Sequence, residues 1–371
     1  MRVACLGAGQ LGRMLALAGY PLGIELEFYD RSADTPGGQV GPIVTGEFDD
    51  IRQLKALARR ADVVTFDWEN VPVTSLRALK GIAPIYPQPS ALAVAQDRVL
   101  EKKLFTQLGI PTPGFFAVES EADLLAAIQH IGLPGILKTR RMGYDGKGQY
   151  RITKRSDVAA ALAVLGGQAL IYEGFIRFSR EVSLIAVRSK TGELAYYPLS
   201  ENSHHEGILQ STRAPFKAPS LQRLAERYLR TVLEHFSYVG VLAIEFFVAD
   251  GRLIANEMAP RVHNSGHWTI EGAVTSQFEN HLRAILGWPL GSTKARGHSA
   301  MLNFIGTLPE RKGLLAQPGV HLHDYGKREA RAGRKLGHAT IVADSSLARD
   351  RALQTLSRQL TPSTRRRARR P

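Results

Sequence analysis

Two glutamates in neighbouring apolar segments, Glu245 and Glu257, are the residues whose types and spacing point most directly to chemistry. Glu245 lies within the apolar run 241–248, Glu257 ends the run 253–257, and an Asp-Gly pair lies between the runs, so we predict a β-hairpin. A carboxylate in such a run is costly to desolvate unless a cation or hydrogen-bond donors compensate it. The pair therefore predicts a site for Mg²⁺, or Mn²⁺ in its place, which binds carboxylates together with nucleotide phosphates.

The register of this hairpin decides whether the two carboxylates can share an ion, because side chains alternate faces along a strand. A two-residue Asp-Gly turn would pair Glu245 with Asn256 and leave Glu257 on the opposite face. We therefore predict an odd loop, Asp250-Gly251-Arg252 with a bulge, which sets Glu245 directly across from Glu257. The alternative is a pair of acids at strand ends that only face water.

Cations and hydrogen-bond donors lie close to this predicted metal site in the sequence. Arg261, His263 and Asn264 follow the second glutamate and could hold a small anion against a γ-phosphate. Lys138 ends an apolar strand just before the glycine-rich segment 143–148, whose N–H groups could cover nucleotide phosphates. We interpret the set as a site that activates an acid with ATP. The alternatives are a surface lysine at position 138 and histidines that pack or bind another metal.

The elements that must position these residues fall into three regions. Residues 1–95 alternate strands and helices and begin with Gly7-Ala-Gly-Gln-Leu-Gly12, the turn of a nucleotide-binding βαβ unit, so we predict a Rossmann-like domain. Residues 96–295 contain the hairpin and a mobile glycine-rich subdomain at about 110–172. Residues 296–360 predict a small β-rich domain. The fold class is therefore α/β and α+β.

Two finer predictions concern the ends of the middle region. A single helix is predicted from Ala91 to Leu108, where Gly109 and the following prolines stop it. After about residue 300, the segments 321–327 and 333–338 predict short strands joined by turns.

The composition is that of an ordinary globular protein, with 44% hydrophobic and 22% charged residues in 371. The net charge is +14, and residues 361–371 are rich in arginine. We predict a disordered, solvated tail there, because no aromatic residue is interleaved to stack on bases. The single cysteine, Cys5, fits a reducing compartment. With no signal sequence or membrane span evident, we expect a cytoplasmic protein that binds neither membrane nor nucleic acid.

Five motifs occur in order along the chain: Gly7-Ala-Gly-Gln-Leu-Gly-Arg-Met14, Phe66-Asp-Trp-Glu-Asn-Val-Pro72, Arg140-Arg-Met-Gly-Tyr-Asp-Gly-Lys-Gly-Gln149, Asn256-Glu-Met-Ala-Pro-Arg-Val-His-Asn-Ser-Gly-His-Trp268 and Tyr325-Gly-Lys327. Together they closely resemble the N5-carboxyaminoimidazole ribonucleotide synthetases of the ATP-grasp superfamily. The resemblance covers most of the chain before the basic tail, which makes a chance match of all five motifs very improbable.

This resemblance implies an ATP-grasp architecture in which the N-terminal Rossmann-like domain is a pre-ATP-grasp domain and binds no dinucleotide. It implies an ATP-dependent carbon–nitrogen ligase of purine biosynthesis. Such an enzyme carboxylates 5-aminoimidazole ribonucleotide with bicarbonate and releases ADP and phosphate. Carboxyphosphate is the implied intermediate, Mg²⁺ the implied metal and a homodimer the implied assembly.

The resemblance also implies roles for individual residues. Glu245 and Glu257 would hold the metal, and the catalytic residues that orient bicarbonate or carboxyphosphate would be Arg261, His263 and Asn264. The residues implied in nucleotide binding are Arg98, Lys138, Gly143, Tyr144, Asp145, Gly146, Lys147, Gly148, Gln149, Glu173, Gly174, Phe175, Ile176, Glu181, His204, Asn256 and Glu257. Those implied in binding the aminoimidazole ribonucleotide are Glu69, Tyr144, Asp145, Lys147, Lys327 and Arg334.

Within these sets the resemblance implies a division of tasks. Residues 173–176 would contact adenine, Glu181 would bind the ribose hydroxyls, and Lys327 and Arg334 would bind the 5′-phosphate of the ribonucleotide. The chain departs from the family pattern at Asp67, where Glu is expected, and at Arg180, where a smaller residue is expected.

Three other functions stay open at this point. A formate-dependent glycinamide ribonucleotide transformylase, or another ATP-grasp carboxylate–amine ligase, would share the metal and nucleotide residues. An NAD-dependent oxidoreductase would explain Gly7–Gly12 and Asp30 but would leave the acidic hairpin without a role. A nucleic-acid-binding protein is suggested by the arginine tail alone.

Overall fold

The computed structural model describes residues 1–143 and 146–360. The predictions made for Tyr144, Asp145 and the tail 361–371 fall outside the described residues. Within the described ranges, none of the helices combines the length and the hydrophobicity that a membrane crossing requires.

The N-terminal region is a parallel sheet in the strand order β3-β2-β1-β4 with helices around it. The strands Arg2–Leu6 and Val63–Phe66 are nearly continuous hydrophobic runs, because helices and the rest of the molecule cover both faces there. The bounds are β1 (Arg2–Leu6), α1 (Gln10–Gly19), β2 (Glu25–Asp30), β3 (Ile43–Thr45), α2 (Ile51–Ala58), β4 (Val63–Phe66), α3 (Val73–Ala78) and α4 (Pro89–Ala95).

The helix predicted over Ala91–Leu108 is two helices, which corrects that prediction. The second helix is α5 (Arg98–Gln107), and Asp97 separates it from α4. The Asp97 carboxylate accepts the backbone N–H groups of Val99 and Leu100, so it is the N-cap of α5. An aspartate favours this capping role over a helix interior, because its short side chain satisfies N–H groups that lack an intrahelical partner.

A small four-stranded antiparallel sheet follows, in the order β5-β8-β6-β7. Two helices pack on it, and the buried side chains of Leu124, Leu137 and Tyr172 belong to its separate hydrophobic cluster. The glycine-rich segment connects β6 to β7. The bounds are β5 (Phe115–Val118), α6 (Glu121–Ile131), β6 (Gly135–Thr139), β7 (Gln149–Ile152), α7 (Val158–Leu165) and β8 (Leu170–Gly174).

The rest of the described chain forms one nine-stranded sheet in the order β14-β13-β9-β11-β12-β15-β17-β16, with β10 paired to β9. The C-terminal strands therefore continue this sheet, called the long sheet below, and α12 lies against them. The bounds are β9 (Arg180–Arg188), β10 (Leu194–Tyr196), β11 (Ser200–His205), β12 (Ile208–Ala214), α8 (Pro219–His235), β13 (Gly240–Ala249), β14 (Arg252–Ala259), α9 (Thr269–Gly272), α10 (Gln277–Leu286), β15 (His298–Ile305), α11 (Arg311–Leu315), β16 (Val320–Asp324), β17 (Lys335–Ala343) and α12 (Ser346–Leu360).

The hairpin β13–β14 places Glu245 directly across from Glu257, as predicted, but not through an odd loop. Ala249 pairs with Arg252, so the turn is the two-residue Asp250-Gly251, and both turn residues have positive φ angles of 49° and 73°. The register shifts instead beside Glu245, where Asn256 is the extra residue of a bulge. The predicted loop Asp250-Gly251-Arg252 was wrong, because the bulge lies within the strand.

The N-terminal sheet and the long sheet share one hydrophobic core. Buried side chains of α1, β13 and α10, including Leu15, Val241 and Leu282, belong to a single cluster. This shared packing fixes the N-terminal domain against the hairpin that carries the two glutamates.

Candidate active site

A cavity of about 860 Å³ lies where the three regions meet. The Rossmann-like region contributes Gly9, Asp30 and the segment 67–70, and the C-terminal region contributes residues 327 and 331–335. The predicted site residues that line it are Glu69, Arg98, Gly143, Lys147, Glu245, Glu257, Arg261, His263, Asn264, Lys327 and Arg334. The structure thus brings together residues that lie far apart in the sequence.

The two carboxylates of the hairpin face this cavity in different electrostatic settings. Burial raises the pKa of Glu245 to about 7, and His204 opposes that rise. Burial alone would also raise the pKa of Glu257, but the adjacent Arg98 guanidinium lowers it to about 2. The Glu257 carboxylate also raises the pKa of Glu245, so a bound dication would offset both the burial and the repulsion between the two carboxylates.

Arg98 joins the hairpin to the glycine-rich segment. Its Nη1 lies 2.8 Å from Glu257 Oε2, and its Nη2 donates to the Gly143 carbonyl at 3.4 Å. The residue before it, Asp97, is buried and contacts two further arginines: Arg140 Nε at 2.6 Å and Arg141 Nη2 at 3.0 Å. Asp97 therefore holds two of the arginines that line the cavity and caps the helix that begins with a third, Arg98, although sequence analysis gave it no role.

The residues predicted to orient the small anion form one wall of the cavity. Arg261 Nη2 lies 3.1 Å from Glu69 Oε1, and His263 Nε2 lies 3.8 Å from Glu245 Oε1. Burial lowers the pKa of His263 to about 3, so its imidazole is neutral and can accept a hydrogen bond. Asn264 exchanges two amide hydrogen bonds, at 2.7 and 3.1 Å, with Asn303.

Asn303 was missed by the sequence analysis. It is buried in β15, and it also donates to the Leu209 carbonyl at 2.8 Å. A buried amide within the apolar strand 298–305 is the signal that could have indicated it, because such groups need partners.

The nucleotide residues of the small sheet lie beside the main cavity rather than in its lining. Lys138 Nζ contacts Glu173 Oε2 at 2.8 Å. Burial alone would raise the pKa of Glu173, but Lys102 and Lys138 lower it to about 2. Gly174, Phe175 and Ile176 line a second cavity of about 500 Å³ together with residues 112–115.

Glu181 and His204 are hydrogen-bonded to each other across neighbouring strands. Burial alone would lower the pKa of His204, but its bond to Glu181 raises it. His204 is also coupled electrostatically to Glu245, so the predicted ribose-binding residue adjoins the predicted metal-binding pair.

The glycine-rich segment between β6 and β7 approaches the strand that carries Lys138. Gly148 has a φ of +70°, and a Cβ there would lie 2.6 Å from Thr139 Oγ1. The Thr139 N–H donates to the Gly148 carbonyl at 2.8 Å. Gly146 and Gln149 complete the described part of this segment.

The Gly7–Gly12 turn holds an internal carboxylate where a dinucleotide fold would place a phosphate. The Gly12 N–H donates to Asp67 Oδ2 at 2.9 Å, and a Cβ on Gly7 would lie 1.9 Å from Asp67 Oδ1. Asp67 is 7% exposed, and burial raises its pKa to about 6. Because this carboxylate occupies the N-terminus of α1, the turn has no room for a pyrophosphate. This geometry opposes the NAD-dependent alternative.

Cations from the C-terminal region also line the cavity. Lys327 Nζ donates to the Lys335 carbonyl at 2.7 Å and lies 5.5 Å from the Tyr325 ring. Arg334 Nη1 lies 3.7 Å from Glu329 Oε2. Lys335 and Arg331 also line the cavity, and sequence analysis had not singled them out.

The residues present fit a magnesium ion that keeps waters and phosphates as further ligands. Glu245 and Glu257 supply two carboxylates, and the neighbouring Asn256 Oδ1 is buried without a hydrogen-bond partner in the described structure. The described residues contain no group of three or more His, Cys, Asp or Glu side chains suited to a metal. A site with few protein ligands is typical of Mg²⁺ bound together with a nucleotide.

Comparisons with protein families divide the chain in the same order as its architecture. Residues 1–96 match the ribonucleotide synthetase preATP-grasp domain and residues 103–278 match the ATP-grasp domain. Residues 299–352 match the phosphoribosylaminoimidazole carboxylase C-terminal domain.

Several relatives match over nearly the whole chain. A Pseudomonas aeruginosa protein named N5-carboxyaminoimidazole ribonucleotide synthase is 52% identical over 92% of this chain and 94% of its own. A solved N5-carboxyaminoimidazole ribonucleotide synthetase from Thermus thermophilus is 52% identical, with a TM-score of 0.93 over 97% of this chain and 98% of that one. A structure from Aspergillus clavatus in complex with ADP and 5-aminoimidazole ribonucleotide is 31% identical, with a TM-score of 0.91 over 97% and 98%.

Proposed function

The chain belongs to the N5-carboxyaminoimidazole ribonucleotide synthase family, and from this premise we propose how its residues divide the work of the reaction. The enzyme is an ATP-grasp ligase of purine biosynthesis. It uses ATP and bicarbonate to carboxylate 5-aminoimidazole ribonucleotide, and it releases N5-carboxyaminoimidazole ribonucleotide, ADP and phosphate.

The cross-strand pairing of Glu245 with Glu257 is the observation that carries our assignment of the phosphoryl-transfer site. These two carboxylates, with Asn256, would hold Mg²⁺, which would neutralise charge on the nucleotide phosphates. Arg98 already lies against Glu257 and would bind the phosphates from the other side.

The remaining nucleotide contacts follow from the same placement. Lys138 and the segment Gly143–Gln149 would contact phosphates, Glu181 with His204 would contact the ribose, and residues 173–176 would contact adenine. The close approach of Gly148 to Thr139 supports this assignment, because a segment that close to the Lys138 strand can bring N–H groups to a phosphate.

Arg261, His263 and Asn264 would bind bicarbonate and then carboxyphosphate. Phosphoryl transfer needs positioning and charge neutralisation more than covalent help from the protein. Arg261 supplies the positive charge for the anion. The Asn264–Asn303 pair fixes an amide beside it. The neutral His263 accepts the Ser265 N–H at Nδ1, so its Nε2–H would donate a hydrogen bond to the anion.

The acceptor substrate would lie between this wall and the C-terminal cations. Glu69 and Lys147 would face the aminoimidazole ribonucleotide, and Lys327 and Arg334 would bind its 5′-phosphate. All four line the same cavity as the catalytic residues. The assignments of Tyr144 and Asp145 to this substrate rest on the resemblance alone.

The proposal also includes the metal, the cellular location and the oligomeric state. Mg²⁺ is the proposed metal, with Mn²⁺ able to replace it, since both ions favour oxygen ligands. A cytoplasmic location is proposed, since a chain with one cysteine fits a reducing compartment. A homodimer is proposed from the family, and sedimentation of the 40.7 kDa chain at about twice its mass would support it.

The test of the reaction is ADP release measured with each co-substrate omitted in turn. We expect release to need both bicarbonate and 5-aminoimidazole ribonucleotide. Glu257→Gln should keep the fold and lose most Mg²⁺-dependent turnover, because an amide cannot replace the carboxylate charge. Full turnover by Glu257→Gln would contradict the metal assignment.

A second experiment tests the substrate end. Lys327→Ala should raise the KM for 5-aminoimidazole ribonucleotide by on the order of tenfold and leave the KM for ATP nearly unchanged, because the lost charge binds the substrate phosphate. The matched control is Lys312→Ala, a lysine in α11 outside the cavity lining. An equal rise in both KM values would assign Lys327 a general structural role instead.

A further inference from the structure

Strand β14 is the edge strand of the long sheet, so one side of its backbone has no neighbouring strand. The backbone N–H and C=O groups on that side need partners from elsewhere in the chain. The bulge at Asn256 adds a residue that the ladder with β13 does not pair. Both demands coincide beside Glu257, the proposed metal ligand.

Two consecutive residues of α5 meet these demands. The Met258 N–H donates to Glu101 Oε1 at 2.7 Å, and the Lys102 ammonium donates to the Asn256 carbonyl. The two backbone groups flank Glu257 on either side. A carboxyl group of α5 therefore accepts from one backbone N–H of the strand edge, and a lysine of α5 donates to one backbone carbonyl.

Burial shows that this arrangement is more than incidental surface contact. Glu101 is 2% exposed and Lys102 is fully buried. Lys102 Nζ also lies 3.9 Å from Glu173 Oε1, so its charge is not isolated. Buried ionisable side chains are unfavourable unless they meet specific partners, and these two meet the backbone groups on either side of Glu257.

A neighbouring part of the same strand provides a comparison. One residue before the bulge, the Ala255 N–H donates to the Pro111 carbonyl at 2.7 Å, and Thr112 Oγ1 donates to the Ala255 carbonyl at 3.1 Å. Neutral groups thus satisfy the strand edge there. Two buried ionisable side chains are used where the edge adjoins Glu257, and loss of either hydrogen bond would leave a buried backbone group unpaired.

We propose that Glu101 and Lys102 are positioning residues that fix the bulge at Asn256 and thereby hold the Glu257 carboxylate opposite Glu245. They act through the backbone on either side of Glu257. Lys102 has no exposed surface, and Glu101, although it borders the cavity, is 2% exposed and accepts the Met258 N–H. The proposal rests on the assignment of Glu245 and Glu257 to the metal.

The experiment measures the Mg²⁺ concentration that gives half-maximal ADP release in the full-length enzyme. Lys102→Met keeps the length of the side chain but removes its donor, and Glu101→Met removes the acceptor. Each should raise the required Mg²⁺ by on the order of tenfold, because a buried hydrogen bond beside the ligand is lost. The KM for 5-aminoimidazole ribonucleotide should stay within about twofold of the native value.

Matched variants separate positioning from a general loss of structure. Lys103→Met changes an exposed lysine of the same helix and should leave the Mg²⁺ requirement unchanged. Glu101→Gln retains an oxygen that can accept the Met258 N–H, so it should restore most of what Glu101→Met loses. If Lys102→Met does not fold, the comparison of Glu101→Met with Glu101→Gln still decides the proposal.

The outcomes distinguish this proposal from the metal assignment on which it rests. If Glu257→Gln raises the Mg²⁺ requirement but Glu101→Met does not, the positioning role is wrong and the metal site stands. If Glu257→Gln leaves the requirement unchanged, the metal site itself is wrong. Equal defects in Glu101→Met and Glu101→Gln would also overturn the proposal, because the acceptor oxygen would then be irrelevant.

Discussion

At the scale of residues, the Asp67 side chain changes what a glycine-rich turn can bind. The glycine-rich turn before a helix normally presents N–H groups to a phosphate. Here the Asp67 carboxylate accepts the Gly12 N–H, and the Cβ that any other residue would place at Gly7 would collide with it. The glycines therefore make room for an internal anion, and the turn becomes a wall of the substrate cavity.

The buried state of Asp67 predicts a pH dependence of stability. Its pKa is raised from 3.8 to about 6, so between these values the folded state holds more proton than the unfolded state. Stability therefore falls as pH rises through that window, by up to about 3 kcal/mol from this group. Asp67→Asn keeps an acceptor for Gly12 but does not titrate. The free energy of unfolding of the variant, relative to that of the native protein, should therefore rise by that amount between pH 4 and about 6.5.

Urea unfolding at several pH values measures this difference in the free energy of unfolding. Asp49→Asn removes an exposed carboxylate and should give a nearly constant difference. A constant difference for Asp67→Asn as well would show that the native carboxylate titrates normally.

At the scale of elements, two separate features set the geometry of the hairpin β13–β14: its turn and its bulge. The turn Asp250-Gly251 reverses the chain with two positive φ angles, which is the backbone of a two-residue hairpin loop. The bulge at Asn256 then shifts the register by one residue and brings Glu257 to the face of Glu245. The turn therefore supports folding, and the bulge sets the site.

This division also shows what the sequence could predict and what it could not. Alternating apolar residues and the Asp-Gly pair predicted the hairpin, and the need for facing carboxylates predicted a bulge. The position of the bulge was not predictable from the strand, because its partners Glu101 and Lys102 come from a helix about 155 residues earlier. The break at Asp97 was readable in principle, since a capping aspartate precedes Arg98.

The turn should tolerate substitution at a modest cost in stability. Gly251 has a φ of +73°, and a Cβ there would meet no atom within 4 Å, so Gly251→Ala meets only backbone strain of about 1 kcal/mol. We expect the free energy of unfolding to fall by that amount and the KM for ATP to stay unchanged. Gly148→Ala is the comparison, because its Cβ would lie 2.6 Å from Thr139 Oγ1 and should weaken ATP binding. A loss of ATP affinity in Gly251→Ala would mean that the turn also sets the register.

At the scale of the whole molecule, the cavity depends on how the N-terminal sheet is fixed to the long sheet. The sequence predicted separate regions from their hydrophobic periodicity, whereas the C-terminal strands continue the long sheet of the middle region. It could not show which buried polar residues join them. His281 of α10 is such a residue: its Nε2 lies 3.0 Å from Thr65 Oγ1 of β4, and its Nδ1 accepts the Val241 N–H of β13 at 3.2 Å.

His281→Leu should therefore weaken the junction in a pH-dependent way. Burial lowers the pKa of His281 from 6.5 to about 3, so the folded state resists protonation. The contribution of neutral His281 to the free energy of unfolding is therefore complete above pH 6.5 and is lost as the pH falls towards 3. At pH 8 the variant should lose about 3 kcal/mol, because Thr65 and Val241 are left with unpaired buried groups. At pH 5 the native protein has itself lost about 2 kcal/mol, so the difference in the free energy of unfolding between native protein and variant should narrow to about 1 kcal/mol.

Urea unfolding at both pH values measures this difference, and His235→Leu, which changes an exposed histidine, is the control. A difference independent of pH would show that His281 is not held neutral at the junction.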